Sequence, residues 1–593
     1  APFRGRVPIE MLGRTPFPPI GELPYLLTLP GHGFYWFLLS SEAEAPAWHE
    51  ERLPALKLST LVIPEGWNSL LPEEATRREP AERALDRLER EVLPAYLPTR
   101  RWFGAKGAGI RAVRLLRRQV WSDWLLTLLR VELDDASTQD YFLPLGIAWE
   151  ERGQDTPAGA AAAALCRVRR HAAPGLLHDA FVDERFIRAL VAAIDAGEAH
   201  PLDSGRLEFR PGPALMQLVA GADLTEVQLP PESSNSGAGL GGRLFLKGYR
   251  RLRRGINPEA EMGRFLTEIS PFAQVVPLLG TIEYHEGDSQ TTLALLQGYV
   301  PNQGDLWGFT LELLERLGEA YGERREEWQA DPAQVSYAHL VETLGRRTAE
   351  LHAALAQHGG GAAFDPEPIP AEDLAAWSAR VHGEAEETLR MLEQAVGGTS
   401  RLDEKARGLA ARMIERRDAL QALIRTAMPA QTSALKTRIH GDLHLGQVLA
   451  VEDDVVFIDF EGEPRRSLEE RRAKHSPLVD VAGMVRSFDY AAHVALRSIG
   501  EHQPEAPGRV EPALALWRRD MVASFLAAYH AAAAGTPSYP GDAQEAAALI
   551  DLFSLEKALY EIRYELDNRP GWVDIPLMGV HALLDKSDSP VQP

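Results

Sequence analysis

Two hydrophobic periodicities divide the chain. Up to about residue 300, apolar residues come in short runs broken by Pro and Gly; beyond it they recur at i, i+3 and i+4. The early runs predict strands at Ile110–Leu116, Trp121–Leu133, Tyr141–Ile147, Ala214–Leu218, Leu244–Lys247 and Leu293–Val300. Helices are predicted there at Ala81–Leu93 and Phe186–Ala196, and Ala158–Leu165 reads as loop or weak helix. The later pattern predicts helices over Leu311–Tyr321, Tyr337–Gln357, Ala371–Ala395, Leu402–Ala427, Glu511–Ala534 and Ala543–Asn568. One segment breaks it: in Gln447–Phe460 two apolar runs flank Glu452-Asp453-Asp454, which predicts a hairpin inside a helical region. At the N-terminus, Val7–Leu12, Tyr25–Leu29 and Gly33–Leu39 predict strands too few for a core, so they would complete a β-sandwich begun upstream. The fold class is α+β: a short β remnant (1–45), a linker (46–79), a cap subdomain (80–155), a β-rich lobe (156–300) and a helical lobe (301–593).

Composition narrows the function classes. Against 63 Lys+Arg stand 85 Asp+Glu, a net charge of −22, which repels phosphodiester backbones and anionic lipid; nucleic-acid and membrane partners are not expected. The single cysteine, Cys166, excludes an intramolecular disulfide and Cys-based zinc patterns. No apolar run is long enough to span a bilayer and no leader pattern opens the chain, so the cytoplasm is the expected compartment. The chain opens on Ala1 rather than Met, which reads as a fragment or a processed chain.

The densest chemistry lies around the predicted hairpin. In Arg438-Ile-His440-Gly-Asp442-Leu-His444-Leu-Gly-Gln447, an Asp after His-Gly precedes an amide side chain, and Val456-Phe-Ile-Asp459-Phe ends an apolar strand in a second Asp. Phosphoryl transfer needs a group at the acceptor hydroxyl and hard oxygen ligands for a divalent metal. Asp442 suits the base; Gln447 and Asp459 suit Mg²⁺; His440 and His444 are candidate substrate contacts. A turn and a strand end explain each piece alone, but not the ordered set.

A bilobal protein-kinase-like fold also needs a strand lysine and a helix carboxylate to position it on ATP. Lys247 ends Leu244-Phe-Leu-Lys247, and a helix opens at Asn257-Pro258, with Glu261 the expected partner and Glu268 its rival. Gly237, Gly239 and Gly242 satisfy G-x-G-x-x-G, but a strand follows them, so a dinucleotide fold is excluded. Gln297, Tyr299 and Val300 close a strand at the junction of the lobes, where backbone groups would meet adenine. On the last long helix Glu556, Tyr560 and Tyr564 share one stripe with Lys557 and Glu561 beside it, a surface suited to a neutral sugar.

His440–Gln447 with Asp459 resembles the catalytic segment of the aminoglycoside/choline kinase-like superfamily, with Gln447 where most relatives carry Asn. Asp459-Phe-Glu-Gly-Glu-Pro464, Ser476–Tyr490 and the Glu556–Leu577 tail are similar to maltokinases. The resemblance implies an ATP- and Mg²⁺-dependent enzyme that phosphorylates maltose to maltose 1-phosphate and feeds α-glucan synthesis. It implies that Ser233, Ser234, Asn235 and Ser236 form the phosphate loop, and that Asp480 caps a helix and braces the catalytic loop. Residues 1–40 resemble the last strands of an amylase-family trehalose synthase, which implies a synthase domain as partner, in the same polypeptide or as a complex. Another small acceptor, or a non-catalytic scaffold, are the alternatives.

Overall fold

A computed structural model describes Val7–Glu10, Thr15–Pro16, Phe37–Ser40 and residues 58–588, apart from 151–158, 220, 222, 323, 399–401, 503–504 and 506. The predicted strand Tyr25–Leu29 and the linker up to residue 57 lie outside the described residues. The chain forms two units, one of Ala1–Tyr96 with Leu145–Asp179 and one of Leu97–Pro144 with Ala180–Pro593. The expected boundaries at 79/80 and 155/156 are therefore not where the chain divides. It crosses between units after Tyr96, Pro144 and Asp179.

In the first unit Val7–Glu10 pairs antiparallel with Thr15–Pro16 and with Phe37–Ser40. Thr60–Val62 runs parallel to Ala164–Arg170, which continues antiparallel through Ala173–Asp179 to Leu145–Trp149. The expectation of a linker through residue 79 is corrected from residue 58 onward. Leu61, Ile63 and Leu70 are buried there, because an apolar triplet beside an open sheet edge gains more by pairing than by solvation.

The second unit carries the kinase-like, mixed α+β architecture, with β-rich and helical parts. A seven-stranded antiparallel sheet runs in the order Ala199–Leu202, Gly205–Pro211, Leu278–Glu286, Ser289–Gly298, Leu244–Gly248, Ser236–Leu240, Val227–Gln228. In Leu244–Gly248 the alternation buries Leu244 and Leu246 on one face and leaves Phe245 and Lys247 on the other. Ala214–Leu218, expected as a strand, is the helix Leu215–Val219. The amide of Leu215 turns back to the Gly212 carbonyl, and Gly212 is itself hydrogen-bonded to Leu279, so the strand stops there.

The helical part packs Pro332–Leu355, Leu478–His502 and Pro507–Ala533 around a core that includes Leu344, Leu351, Phe488 and Phe525. A second core joins Ala371–Gly397, Glu404–Glu415, Arg417–Ala427, Ala543–Asn568 and Asp574–Asp588. Leu402–Ala427, expected as one helix, breaks at Arg416, whose φ of −91° and ψ of 20° leave the helical range. The hairpin stands as expected: Val448–Val451 pairs antiparallel with Asp454–Phe457, turning at Glu452. No described helix is long and apolar enough to cross a membrane.

Candidate active site

The His440–Gln447 segment is fixed from behind. Asp480, in the first turn of Leu478–His502, accepts hydrogen bonds from the amides of His440 and Gly441, both at 2.8 Å. Its Oδ2 also lies 3.3 Å from Nε2 of His352, whose Nδ1 meets the Tyr529 hydroxyl. Burial alone would raise this carboxyl; His352 and the loop amides outweigh it and hold the group below the usual carboxylate range. Gly441 adopts φ +81°, a turn that favours glycine, and presents Asp442 outward. His440 does not face the acceptor. Its ring is buried against Phe460 and its Nε2 meets the Ile458 carbonyl, which corrects its expected role as a substrate contact. His444 accepts the Gly446 amide at Nδ1, and burial lowers its pKa.

Asp442 Oδ1 lies 2.9 Å from Lys557 Nζ, and the same ammonium reaches Glu463 at 2.7 Å. Desolvation works against the charge on Lys557, but Asp442 and Glu463 more than compensate and raise its pKa, so it stays protonated. Asp459 closes the other side with φ +64°, a left-handed backbone that costs energy for a non-glycine residue and is concentrated at functional positions. Gln447 Nε2 donates to Asp459 Oδ2 at 3.2 Å, which brings together the two expected metal ligands.

The lysine strand meets this group. Lys247 Nζ lies 2.6 Å from Glu259, 2.7 Å from Asp459 and 2.8 Å from Glu461. The helix partner is therefore Glu259 and neither Glu261 nor Glu268. Asn257 caps the helix through its side chain and Pro258 opens it, so Glu259 in the first turn points at the sheet. Glu261 stands about 200° further round the helix. There it takes Arg438 at 2.7 Å and Arg472 at 2.7 and 2.9 Å. Glu259 is also held by the Tyr249 hydroxyl and the Gln297 amide, at 2.5 and 3.1 Å.

Carboxylate oxygens of Glu259, Asp459 and Glu461 lie within 4.8 Å of one another. This all-oxygen set fits a hard divalent cation. Glu461, within the Asp459–Pro464 segment, and Glu259 are the members to which the sequence assigned no role.

Asn235 donates to Glu461 at 3.2 Å, and the Ser233 hydroxyl turns back on the Asn235 carbonyl, so this loop meets the same cluster. Ser234 is exposed, and Ser236 accepts from Arg250 at 2.7 Å. Gln297 pairs in the sheet with Phe245 and spends its side chain on Glu259, so its side chain does not reach the junction as an adenine contact. Tyr299, exposed, donates its amide to Arg243, and the Val300 carbonyl accepts from Asn302.

Beside Asp442 opens a cavity of about 360 Å³ whose lining includes Trp377, Glu463, Arg465, Glu556, Lys557 and Tyr560. On its wall Glu556 takes Arg380 and Arg466, Glu384 lies 3.3 Å from Arg563, Glu463 takes Lys557, and Glu470 accepts from the Ser467 amide. Tyr560 packs 5.0 Å from Lys557 and beside Tyr564, an exposed ring between Arg465 and Arg569. Glu561 does not join them. It is turned to Arg486 at 2.6 Å. Arg380 had no signal along the chain, because it meets Glu556 from 176 residues away.

Residues 96–183 match the maltokinase N-terminal cap domain, 234–517 the phosphotransferase enzyme family, and 1–36 the maltogenic amylase C-terminal domain. A glucosamine kinase of Streptacidiphilus jiangxiensis is 28% identical over 305 residues, 51% of this chain and 60% of that protein. A trehalose synthase of Pimelobacter sp. (strain R48) is 68% identical over 38 residues, 6% of this chain and 7% of that protein. The chain thus spans less than two thirds of either relative. A solved glucosamine kinase bound to glucosamine, ADP and inorganic phosphate superposes with a TM-score of 0.54 at 20% identity, covering 83% of this chain and 97% of that one; the likeness is one of fold.

Proposed function

We propose that this chain, whose residues 96–183 match the maltokinase N-terminal cap domain and 234–517 the phosphotransferase enzyme family, transfers the γ-phosphoryl group of ATP to the anomeric hydroxyl of maltose. The products are maltose 1-phosphate and ADP. The acceptor O1 forms a bond to the γ-phosphorus, the bond from that phosphorus to the ADP oxygen breaks, and the O1 proton passes to Asp442. Lys557 holds Asp442 in place. Lys247, oriented by Glu259, meets the ATP phosphates, and the Ser233–Ser236 loop covers them. Asp459, Glu461 and Gln447 would hold Mg²⁺, which when bound neutralises phosphate charge.

The observation that carries the choice of acceptor is the charge balance of the cavity. The glucosamine kinase relatives give the competing reading, an amino sugar. A protonated amine needs an uncommitted carboxylate, whereas Glu556, Glu384 and Glu463 on this cavity are paired with Arg380, Arg466, Arg563 and Lys557. The wall suits a neutral polyol, whose hydroxyls bond to such ion pairs while Tyr560 and Trp377 cover C–H faces. ADP release measured across maltose, glucose, glucosamine and choline tests this. Maltose should give the highest kcat/KM, and glucosamine or choline turning over equally well would overturn the choice. The amylase-type N-terminal segment supports a trehalose synthase domain as the source of maltose, and a kinase acting in the cytoplasm fits this reading.

A further inference from the structure

Outside the active site the second unit holds a cleft of about 350 Å³ that shares no lining residue with the acceptor cavity. Arg117, Arg251, Arg253 and Arg254 face it, against Asp140 and Glu286. In a chain of net charge −22 this is a local reversal of sign. Both carboxylates are already engaged. Asp140 takes Arg130 in a bidentate pair at 2.7 and 2.8 Å, and Glu286 takes Arg117 at 2.5 Å and the Ser204 hydroxyl at 2.6 Å.

Arg254 reaches Glu286 only at 3.7 Å and its side chain is 61% exposed. Arg251 has no carboxylate within salt-bridge distance among the described residues, although its backbone is fixed by pairing with Tyr141. Two guanidinium groups are thus presented on a short paired strand and the turn after it, with their planar donors uncommitted or weakly committed. Thr138, Gln139 and Thr291 add groups that bond hydroxyls, and Leu116, Leu128 and Leu252 add an apolar wall.

We propose that this cleft binds a small phosphomonoester of a polyol, its phosphate held by Arg251 and Arg254 and its hydroxyls by the threonine and glutamine side chains. The cleft also has a mechanical link to the acceptor cavity. Arg253 donates to the carbonyls of Arg466 and Pro464, at 3.2 and 2.9 Å, and so anchors the segment that carries Glu463, Arg465 and Arg466 to that cavity. A phosphate in the cleft competes with those carbonyls for Arg253, so occupancy weakens acceptor binding.

Calorimetric titration of the full chain with glucose 6-phosphate, and separately with inorganic phosphate, tests the site. Three proteins are compared: the wild type, Arg251→Gln/Arg254→Gln, and Lys247→Ala, which removes the expected phosphate contact of the active site. Glucose 6-phosphate should bind the wild type and Lys247→Ala alike, and more tightly than inorganic phosphate. In the double variant it should bind at least about tenfold more weakly, as expected for loss of charge-assisted hydrogen bonds. The single exposed change Arg254→Gln should weaken it in the same direction without lowering the melting temperature. No binding to the wild type, or binding lost in Lys247→Ala and kept in the double variant, overturns the proposal. Binding of phosphate as tight as that of the ester overturns the polyol assignment.

Discussion

Asp442 and Glu259 are the two side chains on which the proposed chemistry turns, and they separate by experiment. Asp442→Ala is expected to lower kcat by about 10²-fold or more, as for loss of a general base, with an unchanged circular dichroism spectrum. Glu259→Gln should weaken the hold on Lys247 and raise the KM for ATP, read in a coupled ADP assay. Glu261→Gln should act differently, because it leaves Arg438, which is 1% exposed, with half its ion pair. Loss of one partner of a buried pair costs about 3–5 kcal/mol, so denaturant midpoints should fall for Glu261→Gln while KM for ATP moves little. At this scale the sequence was readable where candidate residues share one segment, as with Gln447 and Asp459, which the structure brings into contact. It misled where two acids stand two residues apart on one helix. Choosing between Glu259 and Glu261 needs the position of the first helical turn against the sheet, and only packing decides that.

The elements explain how the catalytic loop keeps its shape. Asp480 is 1% exposed and joins a helix start to two loop amides and His352. Asp480→Ala removes a charged acceptor from two buried amides, each such bond being worth about 1.5–3 kcal/mol, so the melting temperature and kcat should fall together. The pH dependence has a definite sign. Asp480 and Glu261 are both held below their ordinary carboxyl pKa in the folded chain. Their contribution is fully present above the unfolded values, near about 4, and is lost as pH falls through the folded ones. Denaturant stability measured from pH 7 downward should decline below about pH 5, and with a shallower slope in Glu261→Gln. Helices and the hairpin were legible because their periodicities span many residues. Thr60–Val62 was not, since three residues carry no period, and Leu215–Val219 is set by hydrogen bonds from a neighbouring strand.

At the scale of the molecule, an acidic chain gathers cations around the candidate site. Lys247, Lys557, Arg380 and Arg466 are paired with carboxylates, whereas Arg471 on the cavity wall donates to backbone carbonyls. Lys557→Met should leave Asp442 and Glu463 unpaired beside each other, raising KM for the sugar acceptor and lowering kcat at neutral pH; unaltered kinetics would remove Lys557 from the acceptor site. The acceptor wall draws on segments more than 170 residues apart, such as Arg380 with Glu556, which is why its charge balance could not be read along the chain. The most direct test of the central claim is ³¹P NMR of the products formed from ATP and Mg²⁺ with maltose, and in parallel with glucosamine. The account predicts ADP and a sugar 1-phosphate signal coupled to the anomeric proton of maltose, formed faster than any glucosamine phosphate. A glucosamine phosphate formed as fast, or maltose left unphosphorylated, would contradict it.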